Sequence, residues 1–274
     1  MTAEARFIAN ARMYAVTPAI EEVWQSLLAR IAAMAGVKLS YEAYPAPAPL
    51  ETLWARSDLG CVFMCGYPIA CRLAAVTPLA APVPSADWAG GQAVYRSDLI
   101  VRDDAPYETL ADTFGHRTGW TVAHSHSGFN AWRHHLLPFR TAERPRLYRE
   151  AIGPLVTARA ILDAVREGRI DVGPLDAYWH GLIRRHAPAL VAGIRVLDAT
   201  ATAPMPALVA SPTLPFAAAE SLRAALAEAG TRDWFAPFAA ELMISGFAPV
   251  TAESFAPTLA WDAEAKAAGY PEPA

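Results

Sequence analysis

The chain has 274 residues, of which 54% are hydrophobic and 18% are charged, and its formal net charge is -4 at pH 7. This length is enough for one large core or two smaller ones. The acidic balance argues against a nucleic-acid-binding protein, which needs a basic face, and the odd number of cysteines gives no disulfide framework.

The N-terminal part alternates short apolar strands with amphipathic helices. Residues 5–10 are typical of a strand, and the pattern predicts a helix over 19–36. Thr17 is placed to be its N-cap, Pro18 occupies the first helical position and Gly36 stands at its end. A strand at 37–44, a turn and short helix at 45–56 and a strand at 59–66 are predicted next.

The alternation continues through the rest of the chain. A long alternating segment at 92–104 is typical of a strand that crosses between two lobes. The other predicted elements are strands at 118–122, 194–201 and 207–211, helices at 130–136 and 155–168, a mainly helical part at 216–246, and a strand, a turn and a helix within 169–188.

This alternation predicts an α/β protein with largely parallel sheets flanked by helices. The extended segments near 94–102 and 197–206 are candidates for two crossovers that carry the chain to a second lobe and back. Residues 1–97 and 205–274 would then form lobe I, with the helices of 216–274 packed on it, and residues 98–204 would form lobe II. A ligand is expected in the cleft, near the carboxyl ends of the strands.

The stretch AHSHSGFN at 123–130 lies between a strand-like and a helix-like segment. A metal site is disfavoured, because a helix that begins near Ser127 puts His134 roughly 10 Å along it, and zinc requires its ligands within about 2.1 Å. His124 and His126 alone are too few ligands. A serine nucleophile is also disfavoured, because the Gly-x-Ser-x-Gly elbow is absent.

An anion site suits the same residues better. Ser125, His126 and Ser127 follow a predicted strand that ends at Ala123, and Gly128 then allows a tight turn before the helix. The free N–H groups of a helix start, together with the serine hydroxyls, suit a phosphate, phosphonate, sulfonate or carboxylate. On the residues alone, the alternative that a serine only caps the helix stays open.

Other polar side chains are expected where strands end. Asp176 follows the Gly173-Pro174 turn and is predicted either to cap the next helix or to bind a polar group of a ligand. Tyrosine hydroxyls that follow strands or lie at a crossover could donate to an oxyanion, with packing as the alternative. These tyrosines are Tyr14, Tyr67 and Tyr95.

Five stretches carry a resemblance to a known family. They are DLGCVFMCGYPIA (58–70), AVYRSDLIVRDDAPYETLAD (93–112), GHRTGWTVAHSHSGFNAWRHHL (115–136), GRIDVGPLDAYWHGL (168–182) and RVLDATATAPMPALVAS (195–211). In order and spacing they resemble the phosphonate/phosphite-type substrate-binding proteins of ABC transporters, which have the two-lobed type II periplasmic-binding-protein fold. The Ser-x-Ser-Gly element at 125–128 and the Gly-x-x-Asp-Val…Asp element at 168–176 are the most specific parts.

The resemblance implies a solute-binding protein that closes around a small oxyanion, needs no cofactor and works with an ABC permease. It implies that Ser125, His126 and Ser127 hold the anion at the helix start that Gly128 opens. Asp176 would line the far wall, and Tyr95 would lie beside the hinge. Tyr14 and Tyr67 are assigned from loop position alone.

Two departures from the family pattern keep alternatives open. The phosphonate binders have a Gly-Ser-His-like element where this chain reads AIGPLVTA (151–158), so the ligand need not be an aminoalkylphosphonate. No secretory signal is visible, which predicts a cytoplasmic protein as encoded, or a periplasmic one if the native start has been trimmed. The alternatives are an enzyme on the same fold, like chorismate dehydratase or the thiamine-pyrimidine synthases, and a ligand sensor.

Overall fold

The structure is a computed structural model that describes residues 6–274. The expectations about an N-terminal leader and about residue 5 of the first strand therefore fall outside the described residues. The chain forms two compact units. The first runs to Val94 and resumes over Pro204–Ala256, and the second comprises Tyr95–Ala203 and Pro257–Ala274. Residues 257–274 thus belong to the second unit, whereas the sequence pattern placed them in the first lobe.

Strands and α-helices alternate over much of the chain, as predicted, but residues 77–102 and residues 194–210 each hold three strands without an α-helix between them. The strands are β1 Phe7–Asn10, β2 Leu39–Tyr41, β3 Leu59–Met64, β4 Thr77–Pro84, β5 Val94–Tyr95, β6 Ser97–Arg102, β7 Arg117–Gly119, β8 Glu150–Ile152, β9 Gly173–Asp176, β10 Ile194–Ala199, β11 Ala203–Pro204, β12 Ala207–Ala210 and β13 Ile244–Pro249. The α-helices are α1 Pro18–Ala35, α2 Leu50–Trp54, α3 Gly66–Ala70, α4 Ala131–Leu136, α5 Ala158–Arg166, α6 Ala177–His186, α7 Phe216–Ala229, α8 Ala236–Leu242 and α9 Ala256–Ala267.

Shorter helical turns lie between these elements. The 3-10 turns are Asp87–Ala89, Leu110–Thr113, Leu137–Phe139, Pro188–Leu190, Asp233–Phe235 and Ala252–Phe255, and a π-helical turn spans His126–Asn130. No helix within residues 6–274 combines the length and the apolar character that a membrane crossing requires.

The predicted boundaries of α1 are confirmed. The Thr17 hydroxyl accepts a hydrogen bond from the amide of Ile20, and Pro18 is the first helical residue. Gly36 ends the helix with a φ of 64°, a left-handed conformation that favours glycine. The buried side of the helix includes Trp24, whose ring lies edge-on to Phe63 of β3 at 5.1 Å in the core of the first unit.

The sheet of the first unit is mixed, which corrects the expectation of a mostly parallel sheet. Its order is β13-β4-β12-β3-β1-β2. Strand β1 is parallel to β2 and to β3, but β12 is antiparallel to both of its neighbours and β13 is antiparallel to β4. A continuous apolar run such as β3 indicates burial on both faces and does not reveal the direction of the neighbouring strand.

Strand β6 is the centre of the second unit. It pairs antiparallel with both β9 and β10, and β7 pairs parallel with β8. Leu99 and Val101 of β6 pack into one apolar cluster with Trp132 of α4, whereas Ile100 packs into another with Ile161 of α5. This alternation follows from the two-residue period of a strand, and it places α4 and α5 on opposite faces of β6.

Two details of the second unit differ from the prediction. Strand β7 ends at Gly119, not at Val122 or Ala123. Residues 120–125 form a loop between this strand and the π-helical turn that begins at His126. The predicted Gly173-Pro174 turn lies inside strand β9, where Pro174 stands opposite Leu99 of β6.

Candidate functional site

The polar stretch singled out in the sequence forms the start of a helix in the second unit. Ser125 is the N-cap, and the π-helical turn His126–Asn130 continues directly into α4. The Ser125 hydroxyl accepts a hydrogen bond from the amide of Gly128 at 3.0 Å, and its carbonyl oxygen accepts one from the amide of Asn130 at 3.0 Å. Ser125 therefore has the capping role that the sequence left open.

Ser127 is differently placed. Its carbonyl oxygen accepts a hydrogen bond from the Ser97 hydroxyl at 2.9 Å. Among the described residues, however, neither its amide nor its hydroxyl has a hydrogen-bond partner, and the residue is half-buried. An amide in the first turn of a helix has no acceptor within that helix. Ser127 therefore offers two donors close together at the positive end of the helix dipole.

Thr121 belongs to the same site, although the sequence pattern did not identify it. Its amide donates to the carbonyl of Gly128 at 3.1 Å. Its side chain is only 7% exposed, and Oγ1 is buried without a hydrogen-bond partner within residues 6–274. A buried hydroxyl without a hydrogen-bond partner lowers the stability of the folded protein. The only signal in the sequence that pointed to Thr121 was its position just before the Ser-x-Ser-Gly element.

Gly128 is required for a different reason from the predicted one. It does not have a positive φ. A Cβ at this position would instead lie 2.0 Å from Thr121 Oγ1 and 2.7 Å from Thr121 Cγ2. The absence of a side chain thus allows the turn and the Thr121 side chain to approach closely. We call residues Thr121, Ser125, Ser127 and Gly128 the oxyanion turn, after the ligand that is proposed for it below.

Asp176 lies on the strand next to this turn. In the β6–β9 ladder it stands opposite Ser97, which also bonds to Ser127. Asp176 Oδ1 caps α6 by accepting from the amides of Tyr178 and Trp179, at 2.9 and 3.0 Å. Burial raises the pKa of Tyr178, and the negative charge of Asp176 adds to this effect. The capping alternative is therefore realised, beside the oxyanion turn.

His126 lies deeper than the two serines. It is 1% exposed, and its ring lies 6.1 Å from that of Tyr95 and 5.1 Å from that of Trp261. Burial lowers the pKa of its imidazole to about 3, and the nearby His134 adds a smaller effect in the same direction. The imidazole is consequently neutral at ordinary pH and brings no positive charge to the site.

We expect His126 to make the protein sensitive to acid. The folded protein keeps the ring neutral down to a pKa of about 3, whereas the unfolded chain takes up a proton below 6.5. Stability is therefore lost as the pH falls through this window, by about 1.4 kcal/mol per pH unit. Between pH 7 and pH 5 this group should lower the free energy of unfolding by about 2 kcal/mol.

Urea unfolding at the two pH values measures this effect. His126→Gln should show a correspondingly smaller loss between pH 7 and pH 5 than the wild-type protein. Gln25→Ala, at an exposed residue of α1 that carries no titratable group, is the control and should keep the wild-type loss. Equal losses for the wild-type protein and His126→Gln would contradict the expectation.

The tyrosines predicted as ligand-binding residues lie in different places. Tyr95 is buried beside His126 in the second unit. Tyr14 belongs to the first unit, where its ring packs edge-on against Phe63 at 5.1 Å and is 1% exposed. Tyr67 lies in α3 of the first unit and is 9% exposed. The ligand-binding roles of these tyrosines stay predictions.

The fold is shared with solved binding proteins. A binding protein component of an ABC phosphonate transporter from Pseudomonas aeruginosa superposes with a TM-score of 0.80 at 15% identity, over 97% of this chain and 88% of that one. PhnD1 from Prochlorococcus marinus, solved with methylphosphonate, gives a TM-score of 0.77 at 12% identity, over 96% and 98%. A Xanthomonas citri protein bound to chloride gives 0.66 at 18% identity, over 97% and 99%.

These likenesses show the fold, the mixed α/β architecture of type II periplasmic-binding proteins. The family follows from the sequence itself. Residues 15–255 match the profile of the family described as the periplasmic substrate-binding protein of the phosphonate ABC transporter. The chain belongs to this family, which confirms the resemblance seen in the sequence. No curated protein sequence matches the chain.

Proposed function

We propose that this protein binds a small oxyanion, such as phosphate, phosphite or a phosphonate, at the oxyanion turn and delivers it to an ABC permease. Membership of a family of transporter binding proteins supports the transport role. The observation that carries the anion site is Ser127, whose amide and hydroxyl have no partner among the described residues, beside the buried hydroxyl of Thr121.

Two residues of the oxyanion turn donate hydrogen bonds to the ligand, and the other two shape the turn. Ser127 and Thr121 donate to the ligand, whereas Ser125 caps the helix and Gly128 lets the turn close on Thr121. A helix N-terminus with neutral hydroxyls can hold an oxyanion without lysine or arginine. The carboxylate of Asp176 favours a ligand that carries a proton on one oxygen, because a carboxylate repels a fully ionised anion and accepts from an O–H group.

Methylphosphonate is a suitable first probe, because PhnD1 from Prochlorococcus marinus was solved in complex with it. Closure of the first lobe over the ligand stays a prediction, as do a periplasmic location and the contacts of Tyr14, Tyr67 and Tyr95.

Ser127→Ala tests the binding site. Removing the hydroxyl should weaken binding by about 1–3 kcal/mol, because a charge-assisted hydrogen bond to the anion is lost. Calorimetric titration with methylphosphonate, phosphite and phosphate, after a thermal-shift screen of the three, measures the change. Ser245→Ala, an exposed serine on β13, is the control and should bind like the wild-type protein. Unchanged affinity in Ser127→Ala would contradict the site.

Thr121→Val separates a binding role from a structural one. Valine has nearly the same shape but no hydroxyl, so it removes a buried polar atom that has no partner in the described part of the chain. Without ligand, we expect the variant to be as stable as the wild-type protein or more stable, by up to about 2 kcal/mol. Its affinity for the anion should nevertheless fall.

Urea unfolding without ligand and calorimetric titration together measure this pair of effects. Higher stability with weaker binding is the combination that a ligand donor predicts. A loss of stability with unchanged affinity would assign Thr121 to the fold alone.

A further inference from the structure

The orientation of the Asn130 side chain is fixed by two neighbours. Its Nδ2 lies 2.8 Å from the carbonyl oxygen of Thr258, which can only accept a hydrogen bond. Its Oδ1 lies 3.2 Å from Nη2 of Arg133, which can only donate one. Exchanging the amide oxygen and nitrogen would break both contacts. The amide nitrogen therefore faces His126, whose Nδ1 is 3.2 Å away.

We infer that Asn130 is a positioning residue that holds His126 as the neutral imidazole with its proton on Nε2. An amide NH₂ group donates and does not accept, so Nδ1 of His126 must be the acceptor. In a neutral imidazole only one nitrogen carries the proton, which is then Nε2. The full burial of both Asn130 and His126 keeps water from replacing this contact.

The C-terminal segment (residues 257–274) maintains this arrangement. Thr258 supplies the carbonyl that orients Asn130, and Asp262 pairs with Arg133 on the other side of the amide. Trp261 packs against the His126 ring. No chemical role was predicted from the sequence for this part of the chain. Through these contacts it fixes the surroundings of His126, the histidine inside the Ser-x-Ser-Gly element.

The titratable and charged groups around the ring come from two helices and from strand β5. On the helix of His126 itself they are Arg133 and His134, and on α9 they are Asp262 and Glu264, which bond to Arg133 and His134 respectively. The Tyr95 ring of β5 lies 6.1 Å from the imidazole ring. The two acidic side chains pair with Arg133 and His134, and the side chain that contacts Nδ1 of His126 is that of Asn130.

A consequence for binding rests on the proposed function. With His126 neutral, the donors at the helix start are uncharged groups and the helix dipole, so affinity for the anion does not require an imidazolium. The tautomer itself does not rest on the proposed function and is measured without any ligand.

Nitrogen-15 NMR of the full-length protein labelled at histidine tests the inference. Its seven histidines are resolved by long-range nitrogen–proton correlation, and His126 is assigned by proximity to Trp261 and by its absence in His126→Gln. We expect a protonated Nε2 and an unprotonated Nδ1 from pH 8 down to pH 5. A proton on Nδ1, or an imidazolium within this range, would overturn the inference.

Asn130→Asp is the informative variant. A carboxylate can only accept, so the His126 proton should move to Nδ1, and the pKa of the ring should rise by roughly 1–3. An unchanged Nε2 proton in a folded Asn130→Asp protein would overturn the inference. If this variant does not fold, the wild-type spectrum alone still tests which nitrogen of His126 carries the proton. Failure of the Ser127→Ala binding test would count against the proposed function and would leave the tautomer measurement unaffected.

Discussion

Replacing Asp262 by alanine is expected to lower the free energy of unfolding by about 3–5 kcal/mol. Its carboxylate pairs with Arg133, whose side chain is only 3% exposed, and also with Lys266 at 2.6 Å. The substitution would leave the Arg133 guanidinium buried without its counter-charge. The cost of such a charge exceeds that of a lost surface ion pair, because water cannot reach it.

The matched control lies on the same helix. Glu264 is 61% exposed and contacts His134 at 2.8 Å, so Glu264→Ala should cost about 1 kcal/mol or less. The double variant Arg133→Met with Asp262→Ala removes both charges and should recover most of the lost stability. Urea unfolding of the four proteins measures these differences. An Asp262→Ala protein as stable as Glu264→Ala would show that the C-terminal segment does not anchor α4.

Gly128→Ala is expected to have the second largest effect. Its Cβ would lie 2.0, 2.7 and 2.9 Å from Oγ1, Cγ2 and Cβ of Thr121, and the turn cannot accommodate these contacts without moving. We expect a loss of about 3 kcal/mol of stability, at the upper end of the cost of overpacking, and loss of oxyanion binding because the Ser127 donors are displaced.

A second substitution tests whether the loss of stability in Gly128→Ala comes from the clash with Thr121 or from any side chain at position 128. Thr121→Ala in the Gly128→Ala background removes the two closest contacts and leaves the one at 2.9 Å. Part of the stability should return, while binding should stay weak because the Thr121 hydroxyl is absent. Equal stability of the single and double variants would contradict the steric explanation.

Much of the local structure was predictable because short-range rules determine it. The cap, the proline and the glycine of α1 each act within one turn, so the sequence alone located both of its ends. The same holds for Asp176, whose position before an amphipathic segment predicts a cap that the structure contains. The serine and glycine pattern at 125–128 likewise marked the start of a helix.

The features that were missed at the level of sequence depend on contacts between distant residues. The antiparallel direction of β12 is set by which strands it joins, and an apolar run carries no information on that. The Thr121 side chain lies beside the Ser-x-Ser-Gly element because it approaches Gly128 closely, seven positions along the chain. The grouping of residues 257–274 with the second unit arises from buried pairs such as Arg133–Asp262, which no local pattern predicts.

An NMR titration of the backbone amides tests the oxyanion turn most directly. With methylphosphonate, phosphite or phosphate added to nitrogen-15-labelled protein, the amide signals of Ser127 and its neighbours in the turn should shift saturably, and they should shift much less in Ser127→Ala. Saturable shifts confined to residues outside the second unit, or no saturable shift with any of the three anions, would contradict the proposed site.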